Sequence, residues 1–181
     1  MLETPVPFNP QSPRYTDRRF PAYRFIQGIT PHPRRDPKGY SYGQPESQIS
    51  FLPPEQWRQN EEYLYGIDLY NFNYWWEAHE AWELVWKTTG KTDDQGRLLQ
   101  GLIQISAGMI KWWAGYSDGM RKLFREGVEK IQSLPEPHFM GLDLLTFINA
   151  IRQFQKQLRP QNYPFIHLFF NKIDKWSCKK L

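Results

Sequence analysis

A chain of 181 residues suits one domain plus an extension, and its net charge of +4 is too mild to mark a nucleic-acid binder. The single cysteine, Cys178, excludes an internal disulfide and fits a reducing compartment, while no apolar run approaches the length needed to span a bilayer. Aromatic content is the outlier at 17%, with eight tryptophans, which predicts a heavily aromatic core or an aromatic binding surface.

Three prolines within Met1 to Pro10 leave no room for a secretory apolar segment, and lysines stand where Cys178-Lys179-Lys180-Leu181 would need aliphatic residues for prenylation. The expected setting is cytoplasmic, without membrane attachment. Eleven of the fifteen prolines lie at or before Pro54. Residues 1–52 therefore read as an extended, turn-rich arm, and 53–181 as a helical domain. Phe8, Tyr15, Phe20, Tyr23, Phe25, Ile26, Tyr40 and Tyr42 make the arm too apolar for a solvated tail, so it is expected to lie along the helical body.

From Pro53 the apolar spacing turns helical. Pro53 and Pro54 suit a first helical turn, and a first helix is expected to about Tyr70. Asn73 is placed to cap a second, tryptophan-bearing helix ending near Gly90. Asp93 or Asp94 caps a third, expected to be the central and most buried helix, running to about Ala114. Only Arg97, Gln100, Gly101, Gln104, Gly108 and Lys111 form a polar or small strip on it. Ser117 or Asp118 opens a fourth helix to about Ser133, a fifth spans about Leu142 to Leu158, and Phe165 to Trp176 reads as a last short helix. Strand signals are nearly absent. The predicted fold is all-α, a compact array of about five helices with a Pro-rich N-terminal extension.

The segment Trp75-Trp76-Glu77-Ala78-His79-Glu80-Ala81-Trp82-Glu83-Leu84-Val85-Trp86 concentrates the unusual chemistry. At about 100° per residue, Trp75, Ala78, His79, Trp82 and Trp86 share one face, with Glu83 on its margin. A histidine within an aromatic stripe is expected to be hydrogen-bonded or functional.

Tyr65-Gly66-Ile67-Asp68-Leu69-Tyr70, His79-Glu80-Ala81-Trp82-Glu83-Leu84-Val85-Trp86 and Leu99-Gln100-Gly101-Leu102-Ile103-Gln104 follow one another in a distinctive order and spacing. They resemble the bacterial and archaeal family called domain of unknown function 309, over a core of about residues 60–134. The resemblance implies a small all-α array and carries no activity with it. The arm and roughly the last forty residues fall largely outside it.

His79 and Glu83, one helical turn apart, are the candidate catalytic or metal-binding pair. His79-Glu80-x-x-Glu83 is similar to the zinc motif His-Glu-x-x-His, but Glu83 replaces the second histidine and leaves the ligand set incomplete. His138 and His167 are remote candidates to complete it. In the alternative arrangement the same residues form a buried polar network, with Glu83 balancing His79 and with Arg97 or Gln104 completing it. Gly101 and Gly108 would then bring Gln104 close to the second helix.

A pocket reading uses His79 as general base, Glu80, Arg97, Gln100 and Gln104 as polar contacts, and Trp75, Trp82 and Trp86 as walls. His32, among Arg34, Arg35 and Lys38, is a further anion or partner candidate in the arm. The sequence thus supports a small binding or interaction module with a polar His/Glu/Gln/Arg cluster, whose partner is a small anion or a protein. The alternatives are a metal-dependent or acid-base hydrolase using His79 and Glu83, and a weak nucleic-acid binder. The sequence assigns no cofactor.

Overall fold

The computed structural model describes residues 12–158 and 164–169. Five α-helices of at least three turns organise the described residues: α1 Glu61–Asn71, α2 Trp75–Trp86, α3 Asp94–Trp113, α4 Ser117–Gln132 and α5 Leu144–Gln157. Each of α1 to α3 packs on the next helix, and α5 packs against α4 while its Phe147 and Phe154 reach Tyr70 of α1 and Trp112 of α3. The all-α class is as predicted. No helix among the described residues is long and apolar enough to cross a membrane.

The first helix begins later than the prolines imply. Pro54–Gln59 forms only a 3-10 turn, and the side chain of Asn60 caps α1 by accepting the N–H of Tyr63 at 3.0 Å. Asn73 does not cap α2. It sits at φ 69° in the tight turn between α1 and α2, and Tyr74 precedes the helix without a capping side chain. Asp93 caps α3 as expected, accepting the N–H of Gly96. α4 buries Met120, Phe124, Gly127, Val128 and Ile131, one face at helical spacing, and leaves its charges outside.

A pair of two-residue strands interrupts the expected start of the fifth helix. His138–Phe139 (β1) pairs with Leu142–Asp143 (β2) around Met140 and Gly141, which have φ 47° and 79°. Two positive φ values in a two-residue loop are what a tight hairpin requires. Such short strands lack the alternation by which a sequence reveals them. Residues 164–169 are extended rather than helical, with Leu168 bridging to Leu142. The remainder of the helix expected through Trp176 lies outside the described residues, as do Phe8 and Cys178.

The most enclosed helix is α1, not α3. Every residue from Tyr63 to Asn71 is buried, including Asp68 and Asn71, whereas Gln104 and Lys111 of α3 retain exposure. The reason is coverage from all sides. α2 packs on one flank, where a Cβ on Gly66 would overlap the Trp82 indole, and Trp82 Nε1 donates to the carbonyl of Tyr63 at 3.2 Å. Asn71 pairs with the backbone of Ile166 in both directions, and Tyr63 Oη donates to the carbonyl of Met140. The N-terminal segment covers the last flank: Asp68 accepts the N–H groups of Tyr15 and Thr16, and Phe20 stacks on Tyr74.

Candidate ligand-binding site

α2 turns one apolar face inward. Ala78, Ala81, Trp82 and Val85 are buried, so the core face is rotated away from His79, whose side chain keeps 29% of its exposure. His79 is therefore not the centre of a buried stripe. Its Nδ1 lies 3.3 Å from Glu80 Oε1, without the angle of a hydrogen bond to any partner. Glu83 turns toward Lys87 Nζ, 3.7 Å away. Ligand atoms of His79, Glu80 and Glu83 nevertheless lie within 4.8 Å of one another, the one such group among the described residues. His138 stands instead 3.9 Å from Asp143, and neither it nor His167 joins this group.

Arg97, Gln100 and Gln104 belong elsewhere. A Cβ on Gly101 would lie 2.7 Å from the Ile131 side chain, and one on Gly108 would overlap the Phe124 ring, so the glycine strip of α3 faces α4. The expectation that Gln104 meets α2 is corrected accordingly: its Nε2 donates to Glu126 of α4 at 3.2 Å. The physical reason is complementarity, since α4 brings Gly127 and Phe124 to the dents that Gly101 and Gly108 leave. Arg97 pairs with Asp94 and donates to Ser133, at a shallow groove shared with Gln100 and Gln104. The polar cluster assembled from the sequence is thus two separate groups.

The remaining candidates also separate. Trp82 is fully buried and cannot wall a pocket, whereas Trp86 is half-buried beneath Lys91, whose Nζ is 5.2 Å from its ring. Trp75 is buried against Trp112 and Trp113. His32 packs tilted against Phe25 and edge-on to Trp76, and its Nδ1 accepts the N–H groups of Arg34 and Arg35. That nitrogen organises its own turn. Arg121 lines a surface groove with Arg152 and Lys156, while Arg34 lines a different depression.

That depression, about 200 Å³, lies between the N-terminal segment and the outer face of α1 and α2. Its walls carry Glu46, Glu62, Glu77, Glu80 and Glu83 against Arg18, Arg34 and Lys87. Arg18 pairs with Glu62 and covers the Tyr65 ring, and Lys87 reaches Glu46 and Glu83. Among the described residues Glu77 and Glu80 have no lysine or arginine within ion-pair distance, and the carboxylates of the walls outnumber the cations, so the cleft is acidic.

Glu77 is the residue that the sequence did not single out. It is 5% exposed, with Oε1 accepting Phe25 N–H at 2.7 Å and Tyr40 O–H at 3.1 Å. Oε2 is buried without a hydrogen-bond partner. Burial pushes the Glu77 carboxyl above its ordinary range, against the lowering effect of the Phe25 and Tyr40 hydrogen bonds and the Arg24 charge. Burial and the neighbouring Glu77 charge push the Tyr40 phenol up as well, so Tyr40 stays a hydrogen donor. No periodicity marks Glu77, because its partners lie some fifty and some forty residues away in a segment without regular structure.

Fold and site together define a small helical protein with a lateral acidic cleft. Residues 63–123, from α1 to the middle of α4, match the family described as Domain of unknown function (DUF309). No curated protein matches the chain. Asp68, Glu77, His79, Glu80 and Glu83 fall inside the matched stretch, and the N-terminal segment that meets Asp68 and Glu77 falls outside it.

Proposed function

We propose that the protein is a small binding module whose cleft takes a ligand bearing a cationic N–H group, such as an alkylammonium or guanidinium. The half-satisfied carboxylate of Glu77 carries this reading. A buried carboxylate oxygen without a donor costs free energy, and a ligand donor would supply the missing bond. Glu80 and Glu83 at the rim add negative charge, and the division of the chain into an arm to residue 52 and a helical domain from 53 enters the proposal, with Arg18 to Ser47 and Glu62 to Lys87 supplying the two walls. A cytoplasmic setting is part of the same reading, supported by the single cysteine.

Calorimetric titration with n-butylamine tests it, with n-butanol as the neutral control of similar size. Saturable binding of the amine alone is expected, weakened on the order of tenfold or more in Glu77→Gln while circular dichroism stays unchanged. Equal affinity of the wild type and Glu77→Gln for the amine would overturn the reading.

A second reading, a metal ion on His79, Glu80 and Glu83, has their mutual proximity and the unpartnered Nδ1 in its favour. One imidazole and two carboxylates suit zinc by ligand type. Elemental analysis of the purified protein, with His79→Ala as control, decides it.

A further inference from the structure

A second pocket opens where the N-terminal segment crosses the junction of α2 and α3. It holds about 70 Å³ and is walled by the rings of Phe25, Trp75, Trp76 and Trp113, with Arg24 and Lys111 among its lining residues. Its charged side chains are all cationic, and Gln27, Asn73 and Tyr116 add neutral polar groups. Trp75 is 5% exposed, and its Nε1–H is buried without an acceptor. An indole N–H can only donate, and buried ones normally find a partner.

Arg24 and Lys111 have no carboxylate oxygen within ion-pair distance among the described residues. Their recorded neighbours are rings, Tyr74 at 5.9 Å from the Arg24 guanidinium carbon and Tyr116 at 5.3 Å from Lys111 Nζ. Burial pulls the Arg24 guanidinium below its ordinary value while the Tyr74 and Glu77 charges oppose that shift, and Glu77 already accepts Phe25 and Tyr40. The start of α2 also lines this pocket, and Tyr74 gives it no capping side chain, while Glu77 in that first turn accepts its own backbone N–H. The end of α3 adds little opposing charge, because the carbonyls of Ile110, Lys111 and Trp112 already accept Ala114, Tyr116 and Gly115.

We propose that this pocket binds a small monocarboxylate with a short aliphatic chain, the carboxylate meeting Trp75 Nε1–H, Arg24 and Lys111 and the chain lying against Phe25, Trp76 and Trp113. Charge sets the sign of the ligand, since two cations and an N–H donor line the pocket and no acidic residue does. The lining sets its apolar part, since Phe25, Trp76 and Trp113 offer ring faces to a short chain in a small pocket of about 70 Å³. The pocket shares Trp76 with the acidic cleft and feels Glu77 through Arg24, but its ligand has the opposite charge, so a failure of one assignment is read separately from a failure of the other.

Titration of the full chain with butyrate, followed by tryptophan fluorescence and calorimetry, tests the proposal against butyramide, which has the same shape without the charge. Butyrate is expected to bind saturably, and butyramide on the order of tenfold more weakly or not at all. Lys111→Gln, at an exposed position, should weaken butyrate by a similar factor and leave butyramide unchanged. Trp75→Phe should weaken butyrate while keeping the ring wall. If Trp75→Phe fails to fold, Lys111→Gln alone decides. The proposal is overturned by equal binding of butyrate and butyramide, by no saturable butyrate signal up to about 10 mM, or by Lys111→Gln binding butyrate like the wild type.

Discussion

Along the seam of α3 and α4, Gly101, Gly108 and Gly127 remove side chains so that Ile105, Phe124 and Ile131 close on the backbone. Along the seam between residues 12–52 and the α1–α2 pair, the chain instead buries carboxylates. Asp68 accepts the N–H groups of Tyr15 and Thr16 and the Thr16 hydroxyl, with Arg14 Nε 3.1 Å away, and Glu77 accepts Phe25 and Tyr40. The difference follows from the backbone. Helices satisfy their own N–H groups, so two of them can meet through apolar surface alone. An extended segment has no ladder and needs acceptors wherever it is covered. A carboxylate serves several donors at once, which is why two acids fasten so long an irregular stretch.

The largest expected effect in this comparison belongs to Asp68. It is fully buried and all its recorded donors come from residues 14–16. Asp68→Ala leaves two backbone N–H groups without acceptors, and a loss of about 3 kcal/mol in urea denaturation is expected. A loss below about 1 kcal/mol would mean that water replaces the carboxylate and that this seam is loosely held.

Gly108→Leu strikes the other seam. The Phe124 ring occupies the space of a Cβ there, so α4 must move or the ring must turn. A destabilisation of about 2 kcal/mol is expected from overpacking. Because the contact is apolar, the loss should be the same at low and high salt, whereas an Arg14→Gln change in the arm seam should depend on salt. A neutral Gly108→Leu would show that α4 is not held against α3 by the close approach.

Glu77 sharpens the contrast because it is an acceptor only half used. Its folded value is raised above the ordinary 4.5 by burial, so the native state holds the proton longer than the unfolded chain. The stabilising neutral form is therefore fully present below the unfolded value, and its contribution is lost as pH rises through the raised folded value. Glu77→Gln is neutral throughout. The stability of the variant relative to the wild type should therefore climb over that window, read as urea midpoints from about pH 4 to pH 8. A flat or falling difference would place Glu77 among ordinary solvated carboxylates. A climb paired with lost amine binding would identify a group kept at the expense of stability.

The apolar seam was largely legible in the sequence, and the charged one was not. Leu98, Leu102, Ile105 and Phe124, Val128, Ile131 recur at helical spacing, and Asp93 and Gly115 punctuate α3 where local chemistry dictates. Which face of α3 meets which neighbour was misread, because a glycine strip shows where something approaches but not what. The repeated Gly66-Ile67-Asp68-Leu69 and Gly141-Leu142-Asp143-Leu144 make the limit plain. The first copy lies inside α1 with its aspartate buried, and the second turns a hairpin and caps α5 through Asp143. Local pattern is shared; the partners that decide each outcome are distant. The same holds for Glu77, whose only distinguishing property is what residues 25 and 40 bring to it.

The smallest expected effect concerns His79 and Glu83, which lie in neither seam and so calibrate both. Their side chains keep 29% and 34% exposure, His79 Nδ1 is nearest to Glu80, and Glu83 is paired with Lys87. A direct bond between them would give a coupling energy of the size seen for buried pairs. With this geometry, a double-mutant cycle of His79→Ala and Glu83→Ala should return no more than about 0.5 kcal/mol, because exposed partners are screened and each has another neighbour. Adding zinc to the same cycle makes it discriminating. If the pair and Glu80 hold a metal, the wild type gains a zinc-dependent rise in melting temperature that both single variants lose. Coupling well above 1 kcal/mol without metal would instead show that His79 and Glu83 bond directly in solution and that the orientation of α2 depends on them.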